Sequence, residues 1–171
     1  RPSRPVLARF VHHVWMMDVT IIRSFLGGDL HLAGVFDAFS RSPLALQTFD
    51  RKPGAAAMGR LLSSAARVFG RPRYLITDLG SEFTGKVFRR AAARLGIVQR
   101  FASRENLYAT ARLERFWRTL KDTARLRLQA PLTICDLERR LEIALAHYLC
   151  DRPHQGLAGA TPAETFLGTP P

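Results

Sequence analysis

Three apolar segments joined by two short turns, followed by an abrupt change of hydrophobic period, restrict the folds open to this chain. Residues 11–19, 30–38 and 43–49 have the residue pattern of strands, with Gly27-Gly28-Asp29 marking the first turn and Ser40-Arg41-Ser42 the second. Short turns between successive strands imply an antiparallel meander. From residue 54 the apolar positions fall at 58, 61, 62, 65 and 69, which is helical spacing. Pro72 restarts the chain into a short buried strand over 73–77. Residues 84–95 are helical again, with Thr84 as N-cap and Gly96 as the stop. A fifth strand is expected at 97–101. Residues 102–107 have no clear period and are expected to be mobile. A long helix over 108–128 is broken by Pro131, a last helix runs from Thr133 to near Leu149, and the proline-bearing tail 151–171 is expected to be largely irregular. This order gives an α/β domain with a mixed five-stranded sheet flanked by helices.

With 171 residues, 47% of them hydrophobic, the chain suffices for one domain with a sizeable core. No apolar run approaches the roughly 20 residues that span a bilayer, so no membrane partner is expected. Residues 1–10, with Pro2, Pro5 and three arginines, are expected to be a linker from an upstream domain. The formal net charge of +12 points to a polyanionic partner. Lysine occurs only at 52, 86 and 121; the remaining cations are arginines, whose planar fork suits phosphate. Cys135 and Cys150 form no Cys-x-x-Cys unit or zinc spacing. They are expected to be reduced helix residues in a reducing, cytoplasmic compartment.

Three acids stand apart. Asp18 follows the apolar run 14–17, and Asp78 follows Tyr74-Leu75-Ile76-Thr77. Glu114 lies within the long helical pattern, with thirty-five residues, 79 to 113, between it and Asp78. Taken singly, each has an ordinary role: a strand-end residue, an Asx-type turn, a helix-surface partner for Arg118. Asp37 and Glu82 are rival carboxylates. If the first and fourth strands are neighbours, Asp18 and Asp78 emerge together at their ends. Two acids at strand ends and one on a helix can converge on divalent cations, and two such ions about 3.5–4 Å apart support in-line phosphoryl displacement.

The helix carrying Glu114 has an apolar stripe of Leu113, Phe116, Trp117, Leu120, Ala124 and Leu128, which is expected to pack in the core. Glu114, Arg118, Lys121 and Arg125 follow at i, i+4, i+7 and i+11 on the adjoining face. One acid followed by three cations suits a metal ligand with a phosphate track beside it. The ordinary alternative is a solvated charged face.

These segments resemble the catalytic core of the DDE integrases and transposases, in particular bacterial insertion-sequence transposases related to retroviral integrases. The likeness covers about residues 11–168. Trp15-x-x-Asp18-x-Thr20 resembles the first-acid motif, and Gly34 to Arg41 the second-strand segment. Thr77-Asp78-Leu79-Gly80-Ser81-Glu82-Phe83 resembles the second-acid motif. Tyr108 through Glu114 to Lys121 is similar to the third-acid helix. Arg152-Pro153-His154-Gln155-Gly156-Leu157 and Thr161-Pro162-Ala163-Glu164 resemble the C-terminal signature. Each motif alone is weak; together, in order and at this spacing, they are specific.

The resemblance implies an RNase H-like fold, with a catalytic core over 11–150 and a tail over 151–171. It implies Asp18, Asp78 and Glu114 as catalytic metal ligands for Mg²⁺ or Mn²⁺, two ions in all. It implies cleavage of DNA ends and strand transfer into target DNA, carried out by a homo-oligomer. Asp37 would then be structural or a supporting residue behind the metal ligands, and Glu82 a turn residue. Phosphate contacts are expected from Lys121, Arg118 and Arg125, then Arg112 and Arg104. Leu79, Ala109-Thr110-Ala111 and Leu149 depart from the more polar family pattern. They keep open a second reading, a catalytically degenerate DNA-binding or interaction module of the same fold; an RNase H-type nuclease using that fold is a third.

Overall fold

The computed structural model describes residues 6–102 and 107–169, with side chains described from residue 111 onward in the second stretch. Five strands form one sheet: β1 (Val14–Arg23), β2 (Asp29–Asp37), β3 (Pro43–Phe49), β4 (Tyr74–Thr77) and β5 (Val98–Phe101), in the order β3-β2-β1-β4-β5. β1 to β3 are the expected antiparallel meander. β4 joins β1 in parallel and β5 joins β4 in parallel, so the sheet is mixed and β1 is central. The helices are α1 (Ala55–Phe69), α2 (Ser81–Thr84), α3 (Lys86–Arg94), α4 (Leu107–Thr123), α5 (Ile134–Ala146) and α6 (Pro162–Leu167).

Alternation along β1 divides the core in two. Val14 and Met16 face a cluster built with α4 and α5, including Phe116, Trp117, Leu120 and Leu137. Trp15 and Met17 face the other cluster, with Met58 and Leu62 of α1 and Phe88 of α3. A central strand buried on both faces needs a continuous apolar run, which Val14–Met17 supplies. The even-numbered positions, Asp18 among them, belong to the α4 side.

Several boundaries differ from expectation for local physical reasons. β1 does not stop near Asp18, because Val19-Thr20-Ile21-Ile22 continue the pairing with β2 as far as Arg23↔Asp29. Asp18 therefore lies within the strand. The expected single helix over 84–95 is two, broken at Gly85, so Thr84 ends α2 instead of capping α3. A Cβ at Gly85 would stand 2.9 Å from that of Ala55, so α1 approaches the break closely. α4 ends at Thr123, and Arg125 adopts a left-handed conformation (φ 54°). Leu128 consequently leaves the apolar stripe and is 87% exposed.

Thr133 caps α5 as expected, accepting a hydrogen bond from the Asp136 N–H. The tail is more ordered than its prolines imply. It holds a 3-10 turn, Gln155–Leu157, and α6 begins with a reciprocal capping box between Thr161 and Glu164. Phe166 of α6 packs edge-on against His12 and Phe69, returning the tail to the start of β1. Among the described residues, no helix is long and apolar enough to cross a membrane. Most of the segment expected to be mobile (103–106) lies outside the described residues, as do residues 1–5 of the expected linker.

Candidate nucleic-acid active site

Parallel pairing of β1 with β4 brings the first two acids together. The register runs Val14↔Tyr74, Trp15↔Leu75, Met16↔Ile76. Extended by two residues, it sets Asp18 level with Asp78, which follows the last residue of β4. Asp18 is the more enclosed. Its Oδ2 accepts a 2.9 Å hydrogen bond from Trp117 Nε1, and its Oδ1 accepts one from the Val19 N–H at 2.8 Å. Burial pushes the Asp18 carboxyl above its ordinary value; those two hydrogen bonds oppose the rise, and the charges of Asp78 and Glu82 add to it. Asp78 is exposed, and its Oδ1 accepts from the Gly80 N–H at 2.9 Å, the expected Asx-type turn.

Glu82 is more than a turn residue. It is 6% exposed, lies in α2 and pairs with Lys52 Nζ at 3.1 Å. The sequence hint was its position four residues after Asp78, where a short helix turns it back toward the strand ends. Asp37 is fully buried and structural: it accepts from the N–H groups of His12, Phe39 and Ser40 and from the Ser40 hydroxyl.

Glu114 is exposed on α4, on the same side of the sheet as Asp18. Trp117 and Lys121 lie three and seven residues further on, along one face of the helix. Trp117 reaches Asp18, while Lys121 Nζ donates to Thr20 Oγ1 at 2.8 Å and to the Ile21 carbonyl at 3.0 Å. α4 thus runs alongside β1 with its apolar stripe toward the sheet and Glu114 on the adjoining, exposed face. Asp18 and Asp78 are brought into electrostatic reach of each other, and Glu114 stays outside that group. Among the described residues, no three His, Cys, Asp or Glu side chains stand close enough to hold one ion together.

Of the expected phosphate contacts, Lys121 and Arg118 are on α4, Lys121 half-buried and Arg118 exposed. Burial and the nearby Arg127 pull the Lys121 ammonium below its ordinary value, and Asp18 opposes this. Arg125 is exposed beyond the end of the helix. Arg112 lies on the far side of α4, where its Nη1 donates to the Ala38 carbonyl at 2.9 Å. Arg104 lies outside the described residues. Sequence reasoning missed Trp117 as an Asp18 partner. The available signal was an indole three residues after Glu114, since a buried indole N–H generally finds an acceptor.

Residues 9–106 match the model of the integrase core domain. The chain belongs to that family. Integrase core domains are polynucleotidyl transferases of DNA integration and transposition, and the expected RNase H-like architecture is the one observed. This integrase core is 25% identical over 156 residues to the transposase of insertion sequence element IS904 from Lactococcus lactis, covering 88% of this chain and 60% of the transposase. It is 29% identical over 158 residues to the Pol polyprotein of feline endogenous virus ECE1, covering 92% of this chain and 14% of the polyprotein. The chain therefore spans about three-fifths of the one relative and about a seventh of the other. Among solved structures, the HTLV-2 integrase catalytic core domain in complex with magnesium, in a dimeric form, superposes with a TM-score of 0.72 at 18% identity. That match covers 92% of this chain and 97% of the other.

Proposed function

We propose that this integrase core cuts DNA ends and transfers the freed strand to target DNA, with Asp18, Asp78 and Glu114 as its catalytic acids. The observation that carries the proposal is the Asp18–Asp78 pair at the junction of β1 and β4, beneath a helix that bears Glu114 and Lys121. A carboxyl raised by burial and by two neighbouring acids is an unfavourable place for negative charge unless a cation shares it. The donors are all oxygens, which fits a hard divalent ion such as Mg²⁺ or Mn²⁺. When bound, such ions supply Lewis-acid polarisation of the phosphodiester and make the attacking oxygen more nucleophilic. The proposal uses two.

The chain's own groups have separate parts. Trp117 and the Val19 N–H fix the Asp18 carboxylate, so one orientation is held in advance of binding. The turn at Gly80 does the same for Asp78. Glu114, one turn before Trp117, is the third acid of the proposal. Lys121 and Arg118 carry the phosphate backbone along α4, a contact that sets register and does not read sequence. Handling two DNA ends together requires more than one copy, so the working form is proposed to be a homo-oligomer.

A supercoiled plasmid incubated with the full chain and Mg²⁺ or Mn²⁺ tests this reading. Nicking is expected, with loss in Asp18→Asn, Asp78→Asn and Glu114→Gln. Nicking that persists unchanged in Glu114→Gln would remove that residue from the acid set. DNA binding without metal-dependent nicking in the wild type would instead support the degenerate DNA-binding module, a reading favoured by the position of Glu114 outside the Asp18–Asp78 group. Cleavage confined to RNA–DNA hybrids would identify an RNase H-type nuclease.

A further inference from the structure

α4 has a second working side. At about 100° per residue, Arg112, Arg115 and Thr119 lie roughly opposite Trp117 and Lys121. There they border a cavity of about 250 Å³, with buried Met16, Phe36, Phe116 and Tyr148 as its apolar lining and Arg41, Arg112 and Arg115 as its cations.

The site is built. Arg41 sits in a left-handed conformation (φ 63°), its carbonyl accepts from the Tyr148 hydroxyl at 3.3 Å, and its Nη2 donates to the Gly156 carbonyl at 3.0 Å. The guanidinium lies directly against Gly156: a Cβ there would come within 1.9 Å of Nη2. A Cβ at the glycine of the Arg-Pro-His-Gln-Gly run would therefore displace the Arg41 guanidinium from this position. Arg112 is held by the Ala38 carbonyl. These bonds orient two cations without neutralising them. Among the described residues, no carboxylate pairs with any of the three. Burial and repulsion from Arg112 and Arg115 hold the Arg41 guanidinium below its ordinary value, with only Tyr148 opposing.

Like charges gathered beside an apolar cavity become favourable when an anion joins them. Guanidinium forks match phosphate oxygens, and an aromatic lining suits a flat ring. We propose that this cavity takes a single unpaired nucleotide, its phosphate on Arg41, Arg112 and Arg115 and its base against Phe36, Phe116 and Tyr148. Two sources share this chemistry: a free mononucleotide, and a nucleotide at a frayed end or flap of DNA lying along α4. The inference depends on contact with nucleic acid and not on cleavage.

The test uses the full chain in EDTA, so its outcome is independent of metal-dependent strand cutting. Fluorescence anisotropy compares a labelled DNA hairpin bearing a one-nucleotide flap with the same hairpin carrying an abasic flap. Calorimetry measures 2′-deoxyadenosine monophosphate against inorganic phosphate. The base-bearing flap is expected to bind about tenfold more tightly than the abasic one, and the mononucleotide more tightly than phosphate. Arg115→Gln and Gly156→Ala should each remove the preference. Arg115 is exposed and makes no side-chain hydrogen bond among the described residues, so its variant is expected to keep the fold. Base-dependent hairpin binding assigns the cavity to DNA, whereas mononucleotide binding with no distinction between hairpins assigns it to free nucleotides. Absence of both, a preference that survives Arg115→Gln, or displacement of flap DNA by an acidic peptide but not by the mononucleotide would overturn the assignment.

Discussion

Trp117 Nε1 donates a 2.9 Å hydrogen bond to Asp18 Oδ2 across 99 positions of chain. The contact ties α4 to the central strand at its one acidic position. Trp117 also packs edge-on against Phe36 and Phe116. Trp117→Phe keeps most of that packing and removes the donor. Loss of a buried hydrogen bond to a carboxyl should cost about 1–3 kcal/mol, read as a lower urea midpoint with an unchanged slope.

Asp18→Asn should stabilise the metal-free protein at neutral pH. The folded Asp18 carboxyl is raised above its ordinary value of 3.8, so the folded chain binds the proton more tightly than the unfolded one. The resulting stability is fully present below the unfolded value and is lost as pH rises through the folded value. Melting curves in EDTA should show the variant ahead of the wild type at pH 7, with the gap closing below about pH 4. Adding Mg²⁺ should raise the melting temperature of the wild type and leave the variant unmoved. An equal gap at both pH values would contradict the assignment.

Lys121→Ala should weaken DNA binding uniformly across sequences and flatten its salt dependence. Removing one phosphate contact lowers the slope of log K against log salt by about 1. Arg118→Ala should act alike. Titrations at several salt concentrations give the slopes, and unchanged slopes in both variants would move the DNA track off α4.

Gly34→Ala should destabilise the sheet beside the acids. Gly34 pairs with Asp18 in the β1–β2 ladder. A Cβ there would come within 2.3 Å of the Phe36 ring and 2.8 Å of Leu46 Cδ2. Overpacking of this kind costs about 1–3 kcal/mol, a fall in melting temperature of roughly 2–4 °C per kcal/mol for a chain of this size.

The sheet was legible because its signals are local. Alternation, glycine turns and the change of period at residue 54 each act within a few residues, and β3 was delimited at both ends. Asp18 and Asp78 were paired from one inference, that β1 and β4 are neighbours, and the parallel register agrees. What escaped depends on distant contacts. The continuation of β1 past Asp18 is set by pairing with β2, and the break at Gly85 by the approach of Ala55. The side of α4 on which Arg112 falls follows from helical spacing, but the carbonyl of Ala38 that receives it does not. Glu82 shows the same limit: its burial against Lys52 arises from a loop after β3 that no periodicity describes.

The sheet order also governs when this protein can become competent. β1 is synthesised early, yet its neighbour β4 arrives only after a crossover through α1, and the indole that steadies Asp18 comes later still. A nascent chain halted before residue 117 would carry Asp18 without its brace. Whatever this domain does to DNA must wait until the ribosome has passed residue 117.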